Sequence, residues 1–224
     1  MNPDDDVRRR GQPVGVGPHP EPLPDDARLD PDLLRYGDSR NVADRYRYWR
    51  VEAIAEDLDR RRHAFHVVVE NWQHDLNIGS VVRTANAFLA AEVHIVGRRR
   101  WNRRGAMVTD RYLHIRHHRT VDDLAVWAAD AAVPLIGIDN VAGSSPLELA
   151  TLPACCALIF GQEGPGLSAA MLGAVHATLA ITQFGSTRSI NVAAAAAIAM
   201  HAWVRQHAAL APGSQEPVAH PRGS

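Results

Sequence analysis

The chain is 224 residues long, with 46% hydrophobic and 22% charged side chains and a formal net charge of −1. This is the profile of a soluble globular protein large enough to bury a core without disulfide or metal staples. Its two cysteines, Cys155 and Cys156, are adjacent, which excludes a CxxC zinc pattern and a disulfide framework and points to a reducing, cytoplasmic setting. A start rich in Pro, Asp and Arg, and the lack of any run of about 18 apolar residues, argue against a signal peptide and a transmembrane helix.

Residues 1–30 are rich in Pro, Gly and charge and lack apolar periodicity, which predicts a disordered arm. Residues 31–62 read as a lead-in, helical from about 40 to 62, with Tyr46, Trp49 and Ile54 on an apolar strip. From 63 to 209 strands and helices alternate. Strand patterns fall at 65–70, 92–96, 134–139, 154–160 and 177–182, and helical patterns at about 78–90, 121–132, 167–174 and 189–208. The alternation predicts an α/β domain with a mostly parallel sheet and helices on both faces. Ligands of such sheets sit at the carboxyl ends of strands, here in the loops after 70, 139, 160 and 182. Residues 210–224 read as a disordered tail.

The small net charge hides an asymmetry. Residues 89–120 carry eight arginines against Glu92 and Asp110, whereas 121–187 carry six acids and neither Lys nor Arg. A run of arginines is commonly only a solvated face. Here Trp101, Tyr112, His114, His117 and His118 interleave with Arg98, Arg99, Arg100, Arg103 and Arg104. Planar cations and rings together can grip phosphate and stack on bases, so nucleic acid is a candidate partner. No metal is called for: the His114, His117 and His118 cluster lacks companion Cys or acidic ligands.

Three stretches carry polar residues beside strand ends. After the strand at 154–160 comes Gly161-Gln162-Glu163-Gly164-Pro165-Gly166-Leu167-Ser168. Its glycines suit close backbone approach to a ligand. It lacks the GK[ST] of a phosphate loop, and no acid lies between Glu163 and Glu216 to hold a dinucleotide ribose. A tight turn explains the glycines but not Glu163. Further back, Asn77 is placed to cap the helix at 78–90, and Arg83 lies opposite the Val81, Val82, Ala85 face. In the third stretch Ser189 could cap the last helix, and Asn191 would fall inside it, where Asn is a weak helix former.

In chain order N-I-G-S-V-V-R-T-A (77–85), L-I-F-G-Q-E-G-P-G-L-S (158–168) and I-T-Q-F-G-S-T-R-S-I-N-V (181–192) resemble the three motifs of the SpoU (TrmH-like) RNA ribose 2′-O-methyltransferases of the SPOUT class. The resemblance covers about residues 62–209. It implies a C-terminal trefoil knot, which pattern reasoning alone would not propose. It also implies a homodimer with its active site built from both subunits, and S-adenosylmethionine bound at Ile138, Gly161, Gly166, Ile181 and Ile190. Asn77, Arg83, Glu163, Ser189 and Asn191 match the motif polar residues. Departures are Leu89 where Gly is usual, Thr182-Gln183 in place of Pro-Met, and Ala193 where Ser is frequent; they leave the motif polar residues in place and bear on the adenine pocket.

The resemblance points to Arg83 for activating the ribose hydroxyl. A guanidinium is a poor base, so a phosphate-binding and alkoxide-stabilising role suits it better, with Glu163 orienting Arg83 or the loop. The arginines of 98–119, with Arg188, would face RNA. A compact chain of this kind is most similar to members that modify tRNA, especially the guanosine of the D-loop, with rRNA as the alternative substrate. A non-catalytic RNA-binding protein of the same fold is the competing class; a nucleotide-dependent oxidoreductase is disfavoured by the missing acid.

Overall fold

The computed structural model describes residues 15–72 and 77–209, in two compact units that divide after Asp57. Residues 1–14, 73–76 and 210–224 lie outside the described residues, and with them the start of the expected arm and the expected tail.

In the first unit, residues 15–30 depart from the expected disorder. Val16 bridges Asp38, and Leu29 bridges Trp49. Asp30 caps a short helix, α1 (Pro31–Tyr36), by accepting from the amides of Asp32 and Leu33. The buried Asp38 carboxylate organises the turn by accepting from Arg40 Nε (2.8 Å), Arg40 Nη2 (2.7 Å) and the Tyr48 amide (3.0 Å). Hydrogen bonding to a buried carboxylate supplies the order that apolar periodicity did not predict. The continuous helix expected over 40–62 is interrupted as well. A 3-10 turn at Asp44–Tyr46 precedes Tyr48 at φ +64°, and α2 (Val51–Asp59) starts only after that break.

The second unit is built on a sheet of order β3-β2-β1-β6-β4-β7-β5, every pairing parallel. Its strands are β1 (Phe65–Asn71), β2 (Val93–Gly97), β3 (Ile115–His118), β4 (Leu135–Ile138), β5 (Ser145–Pro146), β6 (Cys156–Phe160) and β7 (Ala177–Ala180). The helices are α3 (Ile78–Ala87), α4 (Val121–Asp130), α5 (Ala169–Ala174) and α6 (Val192–His207). β3 and β5 have no counterpart among the strands expected from the sequence. β3 is Ile-Arg-His-His at the sheet edge, and β5 is two exposed residues, so neither carries an apolar signature.

Central β1 and β6 are apolar on both faces because helices cover both. On one face Val67, Val69, Val93 and Ile95 pack with Val81, Val82 and Ala85 of α3 and Ala196, Ala199, Met200 and Trp203 of α6. On the other, Val68, Val96, Leu135 and Ile159 meet Val121, Leu124 and Ala128 of α4 and Met171 of α5. Local chemistry sets the helix starts. Thr120 and Asp123 form a reciprocal capping box on α4, and the Ser168 hydroxyl caps α5. Among the described residues no helix is long and apolar enough to cross a membrane.

Candidate active site

A cavity of about 580 Å³ opens where β4, β6 and β7 end, within the range of small-molecule sites. Its wall comes from residues 138–141 after β4, 160–166 after β6, and 181–195 between β7 and the first turn of α6. Ile138, Gly161, Gly166, Ile181 and Ile190 all lie in this wall, as do Glu163, Arg188, Ser189 and Asn191. Asn77 and Arg83 do not line it.

The glycine loop is shaped by close backbone packing. Gln162 and Gly166 exchange backbone hydrogen bonds of 3.0 Å. A Cβ on Gly161 would overlap the Gly166 backbone, and Gly166 itself has φ +73° with Asp139 packed against it. Asp139 then ties the loops together, its Oδ2 accepting from the Leu167 amide at 2.7 Å. Deeper, the buried Glu70 at the end of β1 accepts from the Ser168 amide (2.8 Å) and hydroxyl (2.7 Å) and from Trp72 Nε1 (2.7 Å). Sequence reasoning singled out neither acid. Asp139 carries the signal that marked Glu163, a carboxylate directly after a buried strand.

At the cavity's edge the three motif stretches converge. Asn77 Nδ2 donates to Glu163 Oε2 at 2.6 Å, and Asn191 Nδ2 donates to Glu163 Oε1 at 3.2 Å and to Asn77 Oδ1 at 3.1 Å. The helix-capping assignments change accordingly. Asn77 occupies the N-cap position of α3 but makes no capping bond with its side chain. Asn191, not Ser189, caps α6: its Oδ1 accepts from the Ala193 amide at 2.9 Å. The helix begins at Val192, so Asn191 is not an interior residue at all. Ser189 is exposed on the cavity wall. Glu163 is engaged by the two asparagines, whereas Arg83 is exposed on α3 and makes no hydrogen bond or ion pair with a described residue.

The basic stretch starts at the same edge of the sheet. Buried Asn71 donates from Nδ2 to the Arg98 and Arg100 carbonyls at 2.7 and 3.0 Å. The loop then packs on the start of α3, where a Cβ on Gly79 would lie 2.8 Å from the Ala106 nitrogen and 2.9 Å from the Asn102 oxygen. The glycine of the first motif thus seats the Arg-rich loop beside Asn77. Arg98, Arg99, Arg100, Arg103 and Arg104 are all exposed, and Arg103 stacks over Trp101 at 5.5 Å.

Residues 64–201 match the profile described as the SpoU rRNA Methylase family. The chain belongs to this family. SpoU methyltransferases use S-adenosylmethionine as methyl donor. Among relatives, the tRNA (guanosine(18)-2′-O)-methyltransferase of Escherichia coli K12 is 26% identical over 163 residues, 70% of each chain. The enzyme of that name from Borreliella burgdorferi is 24% identical over 151 residues, 66% of this chain and 69% of its own. Among solved structures, the SpoU methyltransferase AviRb of Streptomyces viridochromogenes, in complex with AdoMet, superposes with a TM-score of 0.58 at 26% identity. That match covers 67% of this chain and 60% of AviRb, so the chain spans about three fifths of that relative. The A. aeolicus TrmH/SpoU tRNA modifying enzyme matches in fold, with a TM-score of 0.62 at 18% identity over 70% of this chain and 81% of its own.

The wall of the cavity suits the family's cofactor. It combines apolar Ile138, Phe160, Ile181 and Ile190 with a backbone cradle too narrow for a Cβ at Gly161. Gln183, also in the wall, buries an Oε1 that has no hydrogen-bond partner among the described residues, an acceptor left for a donor on a bound molecule.

Proposed function

We propose that this SpoU-family chain methylates a ribose 2′-hydroxyl of tRNA, with a guanosine of the D-loop as the favoured target and rRNA as the alternative. The observation that carries the reading is the hydrogen-bonded triangle of Asn77, Glu163 and Asn191 at the edge of a cavity of cofactor size. The basic loop seated on α3 beside it supports a polyanionic substrate, and the names of the E. coli and B. burgdorferi relatives support tRNA.

Ile138, Gly161, Gly166, Ile181 and Ile190 would hold S-adenosylmethionine, which supplies an electrophilic methyl group when bound. The triangle locks three loops into one rim, so the ribose meets a surface that need not reorganise on binding. Ser189 offers a hydroxyl and Arg188 a cation from the same wall. A guanidinium is a poor base, so the part of Arg83 is to grip the phosphate beside the target ribose and to favour the oxygen as negative charge develops. The trefoil knot belongs to the same reading. Its support is the packing of residues 181–191 against the loops after β4 and β6, including Asn140 Nδ2 donating to the Arg188 carbonyl at 3.4 Å.

A homodimer also belongs to this reading, with each site completed by Arg83 from a second copy of the chain. Arg83 is exposed, unpartnered among the described residues and outside the cavity wall. The test is transfer of tritium from labelled S-adenosylmethionine to RNA from a host lacking this gene, followed by size fractionation. Label in the tRNA fraction supports the reading, and label confined to rRNA replaces tRNA by the alternative. Binding of the cofactor without label in either sinks catalysis. Mixing inactive Arg83→Ala and Asn191→Ser chains should restore activity if the sites are shared, and should not if each is complete within one chain.

A further inference from the structure

Far from the cavity, at the amino ends of the first strands, lies a second group of chemistry-bearing side chains. His66 is near the start of β1, Glu92 enters β2, and His94 is on β2 paired with Val68 of β1 and Arg116 of β3. His94 is fully buried under Trp127 of α4, with ring centroids 4.0 Å apart. His66 Nδ1 lies 3.1 Å from His94 Nε2, which lies 3.5 Å from Glu92 Oε2, and all three atoms fall within 4.8 Å of one another. Glu92 and His94 are only two residues apart, but the group was not visible as a motif because His66 joins it from β1, 26 residues earlier than Glu92.

The distances fit a metal. Bonds of about 2.0–2.1 Å at tetrahedral angles set neighbouring donor atoms about 3.3 Å apart, and the two measured separations straddle that value. His94 Nδ1 is 2.9 Å from His118 Nε2, the outer hydrogen bond that orients a metal-ligating imidazole and fixes its tautomer. With that proton on Nδ1, Nε2 presents a lone pair toward His66 and Glu92.

A row of neutral imidazoles accounts for His66, His94 and His118, but not for the acid. Glu92 Oε2 is buried and has no hydrogen-bond partner among the described residues, while Oε1 is held by Arg116 Nη2 at 3.2 Å. A buried, unsatisfied carboxylate oxygen facing two imidazoles is costly unless a cation completes it.

We propose that His66 Nδ1, His94 Nε2 and Glu92 Oε2 bind one divalent transition-metal ion of the zinc class, leaving one position open. The nitrogen-rich set disfavours magnesium and calcium, which take oxygen ligands. Arg116 opposes the ion's charge and, by occupying Oε1, leaves the carboxylate one oxygen to offer. The site joins the starts of β1 and β2, at the other end of the strands from the cavity. Its role is therefore to brace the sheet.

The test uses the full untagged chain, stripped with a chelator and titrated with Co²⁺, with Zn²⁺ as competitor. One equivalent should bind with visible bands of tetrahedral intensity and without the thiolate charge-transfer band that Cys155 would add. Zn²⁺ in hundredfold excess over its Kd should raise Tm by roughly 5 °C. Glu92→Gln, which keeps shape and spares buried His94, should weaken Co²⁺ binding at least tenfold and abolish the Tm rise, and His66→Gln should do the same. Absence of a one-equivalent site, or binding unchanged in both variants, would overturn the proposal. Methyl transfer should persist in the stripped protein, so failure here and failure of the methyltransferase reading are separately visible.

Discussion

Asn191 and Asn77, 114 residues apart in the chain, are joined by a hydrogen bond of 3.1 Å from the Asn191 side-chain amide to the Asn77 side-chain oxygen. The same amide reaches Glu163, and the Asn191 oxygen caps α6. One side chain therefore performs a local task and a long-range one.

The two tasks separate by substitution. Asn191→Ser keeps a capping oxygen but is too short to reach Asn77 and Glu163, whereas Asn191→Ala loses both. Thermal melts should place the Ser variant near the wild type and the Ala variant about 1 kcal/mol lower. Initial rates of methyl transfer should fall at least tenfold in both.

Gly161→Ala should damage cofactor binding more than any exposed change in the same loop. The added methyl would overlap the Gly166 backbone, forcing the cradle apart at a cost of about 1–3 kcal/mol. Titration with S-adenosylmethionine should show weakened binding, while Gly164→Ala, whose Cβ meets nothing within 4 Å but must adopt φ +96°, should bind more tightly than Gly161→Ala.

The basic loop predicts a salt effect. Arg99 and Arg100 are exposed, so replacing both with Ala should leave the melting profile within about 0.5 kcal/mol of wild type. RNA affinity should drop, and the slope of log K against log salt should shrink by about one for each phosphate that is no longer neutralised.

The adjacent thiols should differ in reactivity. Burial, and then the neighbouring Cys155 thiol, push Cys156 up to about 12, whereas Cys155 is exposed. Since the thiolate is the reactive form, iodoacetamide should label only Cys155 in the native protein and both in denaturant.

The first unit should loosen in acid. Burial raises the Asp38 pKa, but bonds from Arg40 and the Tyr48 amide outweigh it and hold the group below its usual 3.8. A carboxylate depressed by folding stabilises the fold above its unfolded value, and that contribution disappears as pH falls through the folded one. Protection of the Val16 and Tyr48 amides, measured relative to their intrinsic exchange rates at each pH, should therefore be high at about pH 5 and fall below 3.8, and Asp38→Asn should show the lower protection at both.

Much of the second unit was legible in advance because its signals are local. The strand patterns at 65–70, 92–96 and 154–160 mark buried segments wherever they sit, and the helix patterns were right to within a few residues at their ends. β3 was not legible, since a polar edge strand is defined by the neighbour it pairs with. Residues 15–30 misled for another reason: their order rests on Asp30 capping α1 and on backbone bridges from Val16 to Asp38 and from Leu29 to Trp49, which composition does not register.

The sequence by itself determined the alternating α/β architecture, the family and the polar residues of the three motifs, because each is written in short-range periodicity or in contiguous residues. Only the tertiary structure decided that Asn77, Glu163 and Asn191 meet, that Gly79 seats the basic loop, that Arg83 stands apart from the cavity, and that His66, Glu92 and His94 face one another. Those relationships depend on which strands lie side by side and on where their ends fall, and hydrogen bonds a few ångströms long across gaps of up to 114 residues leave no trace in local spacing.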